Sequence, residues 1–260
     1  MRPGQIIFLF LVIFAVTGIF AYKVTVSAAP DFRQPAMELV AHASAALLIL
    51  FLSIVVPDLR RSIPALYSRG AEAMRATDVL AFLAVMLTWA YGAHRLLVLY
   101  PVLRWKPELF SLAGYVERVP EISPTYWLLW LLSVGIMAPL AEELLFRGYL
   151  MNLWRKRFGL WPGILLSSLA FGAIHFQAAI YAFVTGIFFS LVYLRYGSLW
   201  PGTLLHGLYN VVATPLWFGF LILVKDKARI ADIASWIPEI VLTLAFFPLL
   251  LFFWRRFRPA

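Results

Sequence analysis

Residues 126–148 read YWLLWLLSVGIMAPLAEELLFRG. The part up to Leu145 is long and apolar enough for a membrane-spanning helix, which takes about 20 mostly apolar residues. Its final third nevertheless holds Glu142 and Glu143, with Arg147 just beyond. Charge in hydrocarbon is expensive, so an ionisable group inside a span marks a candidate functional site. This stretch therefore predicts both a membrane fold and the place where its chemistry sits.

The rest of the 260-residue chain agrees with that reading. The hydrophobic set makes up 63% of it, charged residues 13%, and the mean hydropathy is +0.85. Soluble domains average about 45–50% apolar and about 25% charged, so the composition argues against a soluble globular enzyme. Disorder is excluded by 22 Phe, 11 Tyr and 10 Trp, which demand burial. No cysteine is present, which rules out disulfides, thiolate metal sites and a cysteine nucleophile. The net charge of +9 is read as basic loops facing anionic lipid, not as a nucleic-acid surface.

Eight apolar runs are predicted to span: 5–22, 37–56, 79–100, 126–145, 162–176, 179–194, 199–224 and 237–254. The fold class is all-α, a polytopic bundle of about eight transmembrane helices around an intramembrane polar cavity. Residues 1–260 are read as a single integral membrane domain. No A-x-A-like cleavage site follows the first run, so it is expected to be a retained span anchored by Tyr22-Lys23. Basic residues gather on the side of the termini (Arg60, Arg61, Arg155, Lys156, Arg157, Arg255 and Arg256 among them), which predicts cytoplasmic termini. Leu160-Trp161-Pro162-Gly163 recurs as Leu199-Trp200-Pro201-Gly202. Trp suits the headgroup layer and Pro suits a first helical turn, so the repeat predicts two similar helix starts at one membrane face.

Among the remaining ionisable groups, Glu38 with His42, His94 with Arg95, and Glu239 lie near predicted helix ends, where side chains can snorkel. The 142–147 cluster differs. Glu143 and Arg147 stand at i, i+4 and can form an ion pair that lowers the cost of burial. Glu142 points about 100° away around the helix and is left available for chemistry. Pro139 removes a backbone hydrogen bond and is expected to loosen or kink the helix beside it. His175 lies in the 162–176 run, while His206 and Asn210 share a face of the 199–224 run at i, i+4. An acid, two imidazoles and a carboxamide are the groups a water-activating hydrolase needs: a base, its partner and oxyanion donors. As packing residues, the same side chains would form only a polar network between helices.

Glu142-Glu143-x-x-x-Arg147, then Phe171-x-x-x-His175, then His206-x-x-x-Asn210, in this order, resembles the CAAX protease and bacteriocin-processing (CPBP, or Abi) family of intramembrane proteases. The resemblance covers about 126–223. That family includes the Ras-converting CAAX endopeptidases, which remove the last three residues of prenylated proteins. It implies Glu142 as general base on a water with His175 as its partner, His206 and Asn210 as oxyanion donors, and Glu143–Arg147 as a supporting pair. The implied partners are a membrane protein or lipidated peptide substrate and the lipid bilayer, with no nucleic acid. The implied location is a bacterial or archaeal plasma membrane.

A zinc-dependent version would draw Glu142, His175 and His206 together as three ligands, the usual count for catalytic zinc. No His-Glu-x-x-His helix is present, and with Glu142 as a ligand no separate base remains unless Glu143 leaves Arg147. The expectation is therefore metal-free glutamate catalysis without a cofactor. By helical rise, His175 falls about 20 Å along its helix from Pro162, deeper than His206 at about 8 Å from Pro201. It joins the others only if its helix tilts or starts early.

Overall fold

The computed structural model describes residues 74–105, 124–175, 178–223 and 232–259, with scattered positions between 12 and 67. The described residues are helical and contain no strand. Helix α1 covers Ala76–Trp105 and α2 covers Leu128–Phe158. They are followed by α3 (Leu160–Ile174), α4 (Ala179–Tyr196), α5 (Leu199–Leu223) and α6 (Ile237–Phe257). Among the described residues, four helices are long and apolar enough to cross a membrane: α1, α2, α4, and α6 with the short turn before it. The chain is an integral membrane protein. The predicted runs 5–22 and 37–56, with Glu38 and His42, fall largely outside the described residues.

The chain divides into two compact units that interleave in sequence. The first comprises 1–71, 120–167 and 196–211; the second comprises 72–119, 168–195 and 212–260.

In the first unit, α2 and the start of α5 run antiparallel. Asn210 meets Val134, Gly207 meets Gly135, His206 meets Glu142 and Glu143, and Leu199 meets Gly148. A Cβ on Gly207 would collide with the Gly135 carbonyl oxygen, and one on Gly135 would press on Val211 at 3.1 Å. Helix pairs in lipid lack a hydrophobic driving force and associate through such small-residue contacts. The sequence places the end of the α2 span at Leu145, but the helix continues to Phe158. Its acids and Arg147 are paired internally and need no interface. The water-facing turn is instead Arg155-Lys156-Arg157, all exposed. Gly159, at φ 95°, then reverses the chain, and a Cβ on Gly163 would come within 2.8 Å of the Arg155 backbone. Both Leu-Trp-Pro-Gly copies open helices, with Trp161 and Trp200 about half exposed.

In the second unit, α1 and α6 are antiparallel along their length. Arg256 makes two hydrogen bonds to the Asp78 carboxylate, Trp89 packs on Phe246, and Arg95 lies 3.6 Å from Glu239. A Cβ on Gly92 would fall 2.6 Å from the backbone of Leu242 and Thr243. Arg95 and Glu239 do not snorkel as their positions near helix ends predict: both are buried, each the other's counter-ion.

Candidate active site

The winding of α2 sets the site. Between Leu131 and Met137, and again between Leu144 and Met151, the helix is wound as π-helix. Single π turns inside α-helices cluster at functional sites. The Ala138 N–H bonds back to Ser133, skipping the Val134 carbonyl. Residue 139, the next donor in π register, is Pro and has no N–H. The Val134 oxygen is therefore free to accept from outside its helix, and the Asn210 side-chain amide donates to it at 2.8 Å. At the second π segment the Asn152 backbone N–H turns to Tyr149, and the Asn152 side-chain amide donates to the carbonyls of Arg147 and Gly148 at 3.0 and 2.9 Å. Two asparagine side chains thus cover the carbonyls that wide winding displaces, as buried backbone groups require. The predicted loosening at Pro139 takes this form.

Between the two π segments stand the acids. Arg147 Nη1 donates to Glu143 Oε1 at 2.9 Å, and both side chains are fully buried. The same Oε1 lies 3.0 Å from His206 Nδ1, while the other ring nitrogen, Nε2, lies 3.6 Å from Glu142 Oε2. One imidazole therefore faces both carboxylates. Glu143 and Arg147 fix the ring edge, and the longer approach leaves slack at Glu142. Gly202, one turn before His206, brings the α5 backbone against Glu143; a Cβ there would stand 3.4 Å from Oε2. Glu142, Glu143 and His206 are all buried, and Asn210 is half-buried on the same face of α5 as His206.

The first unit thus brings together Glu142, Glu143, Arg147, His206 and Asn210. His175 belongs to the second unit, at the C-terminal end of α3. Its Nδ1 lies 2.7 Å from the Phe171 carbonyl oxygen, and its ring packs on that of Phe171 at 4.5 Å between centroids. A carbonyl can only accept, so Nδ1 carries the proton and Nε2 of the neutral ring is the acceptor. The spacing of Phe171 and His175 thus fixes a tautomer. Among the described residues, no group of three His, Asp or Glu side chains is disposed to hold a metal ion.

Sequence reasoning missed the Val134 carbonyl as a partner of Asn210, and it missed Asn152 altogether. Pro139, five residues after Val134, was the available signal, because it withholds the π-register donor from that oxygen. Gly135 and Gly207 were equally visible as small residues and equally unread.

Residues 124–212 match a family model described as type II CAAX prenyl endopeptidase Rce1-like. Over these residues the chain is similar to that family. The match takes in α2, α3, α4 and the first half of α5, and so every side chain of the site just described. A curated relative, an uncharacterized 24.3 kDa protein of Escherichia coli, is 40% identical over 97 residues, which is 35% of this chain. The chain covers 42% of that relative's length. No solved structure matches the chain.

Proposed function

We propose that this protein is an intramembrane endopeptidase that hydrolyses a peptide bond of a membrane-associated or lipidated substrate, in the manner of C-terminal CAAX processing, with a water activated by Glu142. The observation that carries the reading is the buried imidazole of His206, held by Glu143–Arg147 on one side and aimed at Glu142 on the other. A packing network needs no second acid set against the far nitrogen of an already anchored ring. A hydrolase needs that second acid as its base.

In this mechanism Glu142 takes a proton from the attacking water as the oxygen adds to the scissile carbonyl carbon. The family resemblance assigns orientation of that water to His175. The carbonyl oxygen becomes an oxyanion, and Asn210 stabilises it. The amide nitrogen of Asn210 has two protons, and the bond to Val134 occupies one. His206 donates from Nε2 when its ring carries both protons, a form that lets Nδ1 go on donating to Glu143. Collapse of the tetrahedral intermediate expels the amine, which receives the proton held by Glu142. No metal or cofactor enters. The chain works in a bacterial or archaeal plasma membrane with cytoplasmic termini, and the lipid anchor of the substrate shares the bilayer with the site.

Purified protein in detergent, assayed with a fluorogenic farnesylated CAAX peptide, tests this. Glu142→Gln is expected to lower turnover by about 10²–10⁴-fold, the usual contribution of a general base, with the thermal midpoint close to wild type. Exhaustive chelation is expected to leave wild-type turnover unchanged. Glu142→Gln turning over like wild type refutes the mechanism, and loss of activity on chelation refutes its metal-free form.

A further inference from the structure

Pro139 lies outside all three motifs that carry the family resemblance. It nevertheless decides where Asn210 goes. The Val134 carbonyl has two possible backbone donors within its own helix. The first, the Ala138 N–H, bonds to Ser133 instead. The second, at residue 139, does not exist because the residue is proline. The side-chain amide of Asn210, across the helix crossing, makes the bond at 2.8 Å.

The neighbouring carbonyl is affected as well. Gly135 stands four residues before Pro139, so its oxygen has no α-register donor. That oxygen lies where a Cβ of Gly207 would be, so the Gly207 Cα hydrogen is directed at it. Such Cα–H···O contacts recur at close helix crossings. The Pro139 ring itself lies 3.8 Å from the same Cβ position. One missing N–H thus turns two successive carbonyls of α2 toward α5, and α5 meets them with Asn210 and Gly207, which flank the face that bears His206.

We propose that Pro139 is a positioning residue: by withholding a backbone donor from Val134, it directs that carbonyl to Asn210 and fixes the Asn210 amide one helical turn from His206. The catalytic part of this inference rests on the peptidase reading; the part concerning the Val134 bond does not. Alanine at 139 restores the N–H and ranks best among helix formers, so the helix keeps a donor for Val134 or Gly135 and Asn210 loses its exclusive partner.

The experiment is a cycle of wild type, Pro139→Ala, Asn210→Ala and the double variant, with Pro139→Gly beside Pro139→Ala so that the shared effect isolates the restored N–H. Two readouts are taken: the thermal midpoint, and kcat and KM on the farnesylated peptide. Asn210→Ala is expected to lower the midpoint in wild type and to lower it by less than half as much in the Pro139→Ala background. Pro139→Ala is expected to reduce kcat by on the order of tenfold, since a small displacement of a positioned group has effects of this order or larger, with KM within twofold. In the Asn210→Ala background, adding Pro139→Ala is expected to change kcat little. An equal midpoint loss from Asn210→Ala in both backgrounds overturns the inference. So does Pro139→Ala with wild-type kcat in a protein whose Glu142→Gln control is inactive. If wild type and Glu142→Gln are equally inactive on the peptide, the peptidase reading fails by itself, and the midpoint cycle still decides whether Pro139 directs Asn210.

Discussion

Replacing Arg147 by Met removes the cation from a fully buried pair and leaves Glu143 in place. The two charges are 2.9 Å apart. At an effective dielectric of 20, their attraction is about 6 kcal/mol before desolvation is counted. Removing one partner of a buried pair costs about 3–5 kcal/mol, because the remaining charge is stranded. For a chain of this size, each kcal/mol moves the midpoint by roughly 2–4 °C, so Arg147→Met should melt about 10 °C below wild type. The double variant Glu143→Met/Arg147→Met strands no charge. It loses the His206 Nδ1 bond at 3.0 Å, worth about 1.5–3 kcal/mol for a charged acceptor, but keeps apolar bulk in an apolar site. The expected order of midpoints is wild type, then the double variant, then Arg147→Met. Intrinsic fluorescence of the 10 tryptophans during heating in detergent reads all three. A double variant melting at or below Arg147→Met would show that the stranded charge is not what destabilises the protein, and would refute the reasoning.

Two further outcomes follow from the helix crossings. Gly207→Ala places a methyl group against the Gly135 backbone, where neither partner is a flexible side chain. It should lower the midpoint by at least the equivalent of about 1–3 kcal/mol, the usual cost of overpacking, and reduce hydrolysis of the farnesylated peptide, whereas Gly159→Asn, at φ 95° and ψ 175°, a region essentially reserved for glycine, should lower the midpoint by the equivalent of about 1–3 kcal/mol and leave hydrolysis unchanged. Asp78→Asn disrupts the bonds from Arg256, a partner about a third exposed. Its effect on the midpoint should be smaller than that of Arg147→Met and leave kcat and KM unchanged.

Much of the site was legible because it is local. Glu143 and Arg147 pair as their i, i+4 spacing requires, and His206 and Asn210 share a face of α5 for the same reason. The α5 and α6 boundaries lie close to the apolar runs that predict them. What could not be read depends on distant residues. The apolar run predicts that the α2 span ends at Leu145, before Arg147, whereas the helix runs on to Phe158. Arg95 looked like an end residue because its counter-ion, Glu239, lies at the far end of the sequence. The role of Asn210 toward Val134 needs the π register of another helix, which no periodicity in α5 encodes.

The second unit also carries a consequence for biogenesis. Asp78 and Arg256 are bonded across 178 positions of sequence, and Arg95 waits in the same way for Glu239. Synthesis delivers α1 early and α6 near the end. Through that interval neither of these two contacts can form. A nascent chain stopped before residue 239 therefore holds α1 without either of its ties to α6.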